Sequence, residues 1–179
     1  MDWRGHEIIV SVIRKLREHG SWAGKTHIIK TLYLLSATKR MKHIPFDFTL
    51  YKHGPYTFDV EDALAIMKSY GAIEEDDIMP GFYGERLKPG VNANFPQNFA
   101  KLTKEEQQEE QEAIEEICKL TGKKNVRELE CLATAVWIFD QEKESNTDKI
   151  AKRVHELKPH ISKQHAKQAY NEIKHFLHS

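Results

Sequence analysis

Three residues near the start of the chain, Gly24-Lys25-Thr26, have the side-chain types that bind a nucleotide phosphate. A phosphate-binding loop needs the spacing G-x-x-x-x-G-K-[ST] after a strand, so that backbone N–H groups surround the phosphate. Here the earlier glycine, Gly20, lies one residue too close to Gly24, and a helical pattern precedes it. The run therefore predicts no nucleotide site.

The two cysteines, Cys118 and Cys131, are the first candidates for a metal or redox site. Zinc sites use closely paired ligands such as C-x(2–4)-C, but these two cysteines lie thirteen residues apart in separate predicted helices. We interpret them as small buried side chains. So few cysteines favour a reducing compartment, and we predict neither a metal nor a cofactor.

Two arginine–histidine pairs, Arg14 with His19 and Arg153 with His160, match the R-x(4–6)-H spacing of the all-helical HEPN-type ribonucleases. The chain is rich in both residue types, so such matches arise by chance. Arg14 and His19 would also lie on either side of a helix end. We predict no catalytic residue, and a ribonuclease is the third alternative for function.

Charge is balanced over the whole chain, with 27 basic and 27 acidic residues, but it is unevenly distributed. Residues 1–45 carry nine basic against three acidic side chains, and residues 46–78 carry two against eight. Such asymmetry suggests a polar surface that recognises a partner, or else two solvated faces of opposite sign. No signal peptide or membrane span is apparent, so we expect a cytoplasmic protein with no membrane partner.

Helical periodicity and turn residues predict the elements of the first hundred residues. A first helix ends at Gly20, and residues 25–35 form a second, with Lys25 and Lys30 on its polar side. Residues 46–51 alternate as in a strand, which we expect to pair with residues 72–73. A Gly54-Pro55 turn separates that strand from a third helix, which ends at Gly71.

The remaining elements follow from helix-capping signals. We predict loop for residues 74–99, with residues 86–90 as a possible hairpin arm. Thr103 with Glu106, and then Asn125 with Glu128, mark two helix starts, and the glutamate-rich run 105–116 is the expected solvated face. The fold class is mainly α (α+β) with a small antiparallel sheet. Residues 1–100 form a winged-helix-like domain, and residues 101–179 form a helical layer packed on it.

A helical hairpin followed by a strand, a helix and an arm has the outline of a winged-helix DNA-binding regulator. Its phosphate contacts would come from basic residues of the helical hairpin, namely Lys25, Lys30, Lys39, Arg40 and Lys42. The isoelectric point of about 7.2 is low for such a protein. We therefore expect any binding to duplex DNA to be weak and sensitive to salt.

Three segments in order suggest a family: Lys30-Thr31-Leu32-Tyr33-Leu34-Leu35, Tyr51-Lys52-His53-Gly54-Pro55-Tyr56, and a helix that closes on Gly71-Ala72-Ile73. Together they cover about fifty residues and resemble the Panacea domain of SocA/GepA-like antitoxins and the related YwgA-like bacterial and archaeal proteins. The helix at residues 129–137, with Lys158-Pro159 after it, is similar to the YwgA-like tail. The long arm after Ile73 departs from that pattern.

The resemblance implies a cytoplasmic protein that neutralises a toxin by direct binding, or an adaptor that delivers a client to a protease. The expected partner is thus a protein, and its identity and the oligomeric state stay open. The partner-binding residues that we predict are Lys25, Lys30, Tyr33, Tyr51, His53, Gly54, Pro55 and Tyr56. The structural alternative is that Gly54 and Pro55 only set a bend, with Tyr51 and Tyr56 packed against Tyr33.

Overall fold

Helices make up most of the chain, of which the computed structural model describes residues 3–41, 43–77, 84–95 and 102–177. Four short strands, in two separate antiparallel pairs, lie among the helices of this part of the chain. The mainly helical α+β fold that the sequence predicts is confirmed. In chain order the elements are α1 Trp3–Glu18, α2 Lys25–Thr38, β1 Thr49–Tyr51, β2 Gly54–Tyr56, α3 Phe58–Ser69, β3 Ile73–Glu75, β4 Leu87–Pro89, α4 Lys104–Thr121, α5 Val126–Gln141, α6 Thr147–Leu157 and α7 Lys163–Leu177.

Side-chain caps begin the helices where the sequence predicts them. The Thr103 hydroxyl accepts a hydrogen bond from the Glu106 N–H at 3.2 Å, and the Glu106 carboxylate accepts one from the Thr103 N–H at 2.9 Å. Asn125 and Glu128 make the same reciprocal pair at the start of α5. Each cap supplies acceptors to N–H groups that have no partner within the helix, so both predicted capping boxes are confirmed.

The strand pairing that we predict is wrong. β1 pairs with β2, with Thr49 opposite Tyr56 and Tyr51 opposite Gly54, and not with residues 72–73. Only the last three residues of the predicted strand 46–51 are in a sheet. A two-residue turn closes this hairpin locally, which has a lower loop entropy cost than pairing across α3.

The predicted loop 74–99 also contains a strand pair, because β3 pairs with β4 and places Ile73 opposite Pro89. Residues 78–83 and 96–99 of the predicted loop lie outside the described residues. The chain therefore has two small hairpins, and the second one packs against the end of α3.

The core centres on α2 and α5. One continuous cluster of buried apolar side chains joins α1, α2 and α3 to α4, α5 and Ile173 of α7. A smaller cluster lies between α5, α6 and α7. The first cluster takes residues from both sides of position 100, and the division into two domains stays a prediction. Cys118 and Cys131 are both buried and unpaired thiols, as we interpret them from the sequence.

Basic side chains of the N-terminal segment form ion pairs with acidic side chains from other parts of the chain. Lys25 of the basic segment pairs with Glu61 of the acidic one, and Arg17 pairs with Asp76 at 2.7 Å. The glutamates of α4 face α1 and α2 as well as solvent: Glu116 pairs with Arg40, and Glu115 with Lys15 at 3.1 Å. The expectation of a solvated α4 face is therefore only partly right.

Within the described residues, none of the helices is both long and apolar enough to cross a membrane.

Gly90 offers a test of the contact between the β3–β4 hairpin and the end of α3. A Cβ atom at Gly90 would overlap the carbonyl oxygen of Gly71, so the two backbones must separate in Gly90→Ala. We expect this variant to lose about 3 kcal/mol of unfolding free energy. Gly20→Ala is the control, because Gly20 has a φ of 79° but no atom within 4 Å of the added methyl group. It should lose only about 1 kcal/mol, and equal losses in urea unfolding would refute the close approach.

Candidate functional site

The β1–β2 hairpin brings together most of the residues that the sequence predicts to bind a partner. Gly54 lies at its turn end with a φ of 86°, a left-handed value that favours glycine. A Cβ atom there would lie 3.0 Å from the Thr134 hydroxyl oxygen on α5. Gly54 thus lets the hairpin reverse its direction and lie directly against α5.

Two buried lysines hold the hairpin through its backbone. Lys30 of α2 is only 2% exposed, and its ammonium donates a hydrogen bond to the carbonyl oxygen of Pro55 at 2.6 Å. Lys158, just after α6, is 7% exposed and donates to the carbonyls of Tyr51, at 3.2 Å, and Lys52. Hydrogen bonds from a charged donor are stronger than neutral ones, so these two contacts fix both ends of the turn.

Glu130 of α5 supplies the compensating negative charge. It is 4% exposed, and its Oε1 lies 3.8 Å from the Lys158 ammonium. Among the described residues, that oxygen has no hydrogen-bond partner. Lys30, Glu130 and Lys158 together form what we call the buried charge cluster, which contains two cations and one carboxylate.

The surroundings of Lys30 disfavour its charged form. The pKa of the Lys30 ammonium is lowered to about 8, chiefly by burial; Glu130 opposes this decrease and the nearby Lys158 adds to it. Lys30 is thus still mainly protonated at pH 7. The buried charge cluster then has an excess of one positive charge.

Two histidines flank Glu130 from the surface. The Nε2 atom of His160 lies 3.2 Å from one carboxylate oxygen, and the Nδ1 atom of His53 lies 3.8 Å from the other. Within the described residues, no group of three or more ligand-type side chains has the arrangement of a metal site. The Lys158 ammonium beside the same carboxylate also opposes a bound cation.

A cleft of about 380 Å³ opens beside the hairpin, and we call it the hairpin cleft. α2 contributes Thr26, Ile29 and Lys30 to its lining, the hairpin contributes Tyr51, His53, Gly54 and Tyr56, and α3 contributes Phe58 and Glu61. Its lining is therefore mainly apolar and aromatic, with the Lys30 side chain as its buried cation. Ligand sites commonly combine an apolar lining with a few polar groups in this way.

Three aromatic rings, those of Tyr51, Tyr56 and Phe58, form a rim around the hairpin cleft. Their centroids lie 5.4 Å apart for Tyr56 and Phe58, and 6.0 Å apart for Tyr51 and Tyr56. Tyr51 and Phe58 are each 59% exposed, which is unusual for such large side chains. We call these three residues the aromatic rim.

Glu61 connects the aromatic rim to α2. Its carboxylate pairs with Lys25 and accepts a hydrogen bond from the Tyr56 hydroxyl, and both contacts lower the pKa of Glu61. Burial and this hydrogen bond raise the pKa of Tyr56. Tyr56 is thus held in place, whereas its two neighbours in the rim have faces open to solvent.

The structure brings Lys25, Lys30 and the five hairpin residues to one region and leaves Tyr33 apart from it. Tyr33 is 2% exposed and contacts Phe48 and Trp137, with ring centroids at 5.3 and 5.9 Å. Tyr51 and Tyr56 contact each other and Phe58 instead, so the alternative packing against Tyr33 is wrong. The prediction of Lys30 on the polar side of its helix is also wrong, because Lys30 is buried.

Sequence reasoning missed Phe58, Glu61 and Glu130. Phe58 is the first residue of α3, directly after the helix cap Thr57. An aromatic residue at the first position of a helix is only a weak sequence signal of a binding surface. Glu61 and Glu130 look like ordinary helix-face acids in the sequence, and only the tertiary structure places them beside lysines.

The other candidate motifs occupy different surroundings. Arg14 donates to Asn94 at 2.7 Å, whereas His19 pairs with Glu115 at 2.8 Å. Arg153 pairs with Glu142, and His160 with Glu130. Gly24 precedes α2 and follows α1, so the Gly24-Lys25-Thr26 run has a helix before it and not a strand.

A double-mutant cycle tests how closely Gly54 approaches α5. Gly54→Ala should lose about 3 kcal/mol of unfolding free energy, from the positive φ and from contact with the Thr134 side chain. In a Thr134→Ala background the contact is absent, so Gly54→Ala should lose only about 1 kcal/mol of unfolding free energy, the cost of the positive φ. Urea unfolding of the four proteins measures both losses. The same loss in both backgrounds would show that Thr134 does not limit the approach.

The pH dependence of stability tests the burial of Lys30. Its pKa is about 8 in the fold against 10.5 for the ordinary side chain, so the unfolded chain binds more protons between these values. The unfolding free energy should therefore rise from pH 8 to pH 10.5 relative to Lys30→Met, by up to about 3 kcal/mol. Parallel pH profiles of the two proteins in urea unfolding would contradict a buried ammonium.

No protein-family model matches the chain, and no curated protein matches it significantly. The Panacea resemblance stays a prediction, and function is inferred from the chemistry of the hairpin cleft.

Proposed function

We propose that this protein is a protein-recognition module of the antitoxin or proteolytic-adaptor kind, which binds its protein partner at the hairpin cleft and the aromatic rim. The observation that carries the proposal is the exposure of two neighbouring rings, Tyr51 on a hairpin held by buried ionic contacts and Phe58 at the start of α3. Tyrosine and other aromatic side chains are enriched at protein interfaces, where they anchor the contact.

Rigidity of the support favours recognition. Because Lys30 and Lys158 hold the hairpin carbonyls, and Tyr56 is bonded to Glu61, little conformational entropy remains to be lost on binding. Interfaces whose side chains are already ordered bind more tightly for the same buried area. The aromatic rim is therefore suited to act as a preformed anchor.

The winged-helix alternative has weaker support, because three of its four described phosphate-binding side chains, all except the exposed Lys39, are already buried or paired. Lys30 is buried and Arg40 pairs with Glu116. On the second hairpin, Arg86 lies 3.4 Å from Asp76 and Lys88 lies 3.5 Å from Glu74. A DNA phosphate would have to compete with these carboxylates for the basic side chains. The release of counterions would therefore contribute little to the binding of duplex DNA. Lys42 lies outside the described residues.

The Panacea resemblance points in the same direction as the geometry. Its aromatic-x-x-Gly-Pro-aromatic segment coincides with Tyr51, Gly54, Pro55 and Tyr56 of the hairpin. A cytoplasmic protein that neutralises a toxin, or delivers a client to a protease, would use such a surface to bind one protein specifically.

The test is capture of the partner by the tagged full chain from its native cell extract, in parallel samples with and without nuclease treatment. The captured protein is then identified and purified, and its binding is measured by titration calorimetry. We expect Tyr51→Ser/Phe58→Ser to weaken that binding by about 1,000-fold, because each of the two anchors contributes about 2 kcal/mol.

Val91→Ser is the matched control, because Val91 is an apolar side chain that is 91% exposed outside the hairpin cleft. It should bind as tightly as the wild type. Recovery of nucleic acid alone without nuclease, or equal binding by the rim variant and the wild type, would reject the proposal.

A further inference from the structure

We infer that the hairpin cleft receives a glutamate side chain from the protein partner, with its carboxylate paired to the Lys30 ammonium and its flanking residues packed on the aromatic rim. This inference rests on the proposed function and specifies the chemistry of the partner.

The first support is an imbalance of charge. The buried charge cluster has the two ammonium groups of Lys30 and Lys158 but only the Glu130 carboxylate. Glu130 lies within 3.8 Å of Lys158, and no ion pair joins it to Lys30 among the described residues. Burying a cation without an adjacent anion is unfavourable. One further carboxylate would neutralise the excess.

The second support is the hydrogen bonding of Lys30. An ammonium has three N–H donors, and within the described residues the Lys30 ammonium has one acceptor, the carbonyl oxygen of Pro55. Lys30 also lines the hairpin cleft. Buried donors without acceptors carry a desolvation penalty that a ligand oxygen removes.

The third support is the depth of Lys30 below the aromatic rim. Its side chain is 2% exposed, whereas Tyr51 and Phe58 are 59% exposed. A group that reaches Lys30 must therefore extend past the rings, which favours the longer stem of glutamate over aspartate. The other acid of the cleft, Glu61, is already paired with Lys25 and does not supply this charge.

Electrostatics around the cleft is consistent with this occupant. The pKa of Lys30 is lowered to about 8, chiefly by burial, as expected for a charge that its surroundings stabilise less than water does. The Lys25–Glu61 pair leaves the α3 side of the cleft without a free acid that would repel a carboxylate. A single carboxylate from the partner therefore matches the single excess cation of the site.

The experiment uses three synthetic peptides and the full-length, ¹⁵N-labelled protein, with binding followed by chemical shifts of the Gly54 and Tyr56 amides. The first peptide is acetyl-Ala-Leu-Glu-Leu-Ala-amide, and the second has glutamine in place of glutamate. The third has glutamine and a free C-terminal carboxylate. We expect the glutamate peptide to bind about tenfold or more tightly than either of the others. Equal binding by the first two, preferred binding of the third, or no binding at all would overturn the inference.

Variants connect the preference to Lys30. In Lys30→Met, the glutamate and glutamine peptides should bind with about equal affinity. Lys119→Met removes an exposed lysine on α4 and should keep the preference for glutamate. Retention of the preference in a folded Lys30→Met protein would also overturn the inference. If the partner still requires Tyr51 and Phe58 but the peptides are not distinguished, the inference fails and the proposed function survives. If the glutamate peptide is preferred but no partner depends on the rim, the proposed function fails.

Discussion

The hydrogen bonds from two buried lysines to the hairpin carbonyls are the interactions on which the candidate site depends. A hairpin with three residues in each strand is not stable alone in water. Here Lys30 and Lys158 connect its backbone to α2 and to the segment after α6. Glu130 reduces the repulsion between these two cations. Three helices that are far apart in sequence thereby determine the position of six hairpin residues.

The aromatic rim follows from that arrangement. Gly54 lies directly against α5, and a side chain at that position would make a tight contact with the Thr134 hydroxyl. On the same hairpin, Tyr51 is exposed and contacts Phe58, the first residue of α3. Loss of the buried contacts would leave the Tyr51 and Tyr56 rings on a mobile hairpin, where ordering them on binding would require additional entropy. The function proposed for the surface thus depends on ionic contacts beneath it.

The sequence was sufficient to predict the helices and insufficient to predict the site. Helix starts depend on local signals, so the capping residues Thr103 and Asn125 identify α4 and α5 without any tertiary information. Ion pairs are non-local, and the alternation of residues 46–51 does not identify the segment with which that strand pairs. The burial of Lys30 depends on Pro55 and Glu130, which lie 25 and 100 residues away in the chain. Periodicity alone places a lysine on the polar side of a helix, and only those partners explain its burial.

The identity of residue 30 connects stability with function. A methionine at this position would retain the apolar stem and remove a buried charge that Glu130 compensates only in part. On stability alone, a buried lysine is therefore the less favourable choice, although its bond to Pro55 recovers part of the difference. The remaining excess charge lies where the hairpin cleft opens, and most other basic side chains of the N-terminal helices are paired with acids. An unfavourable buried charge in the lining of an open cleft is the arrangement expected of the recognition site that we propose.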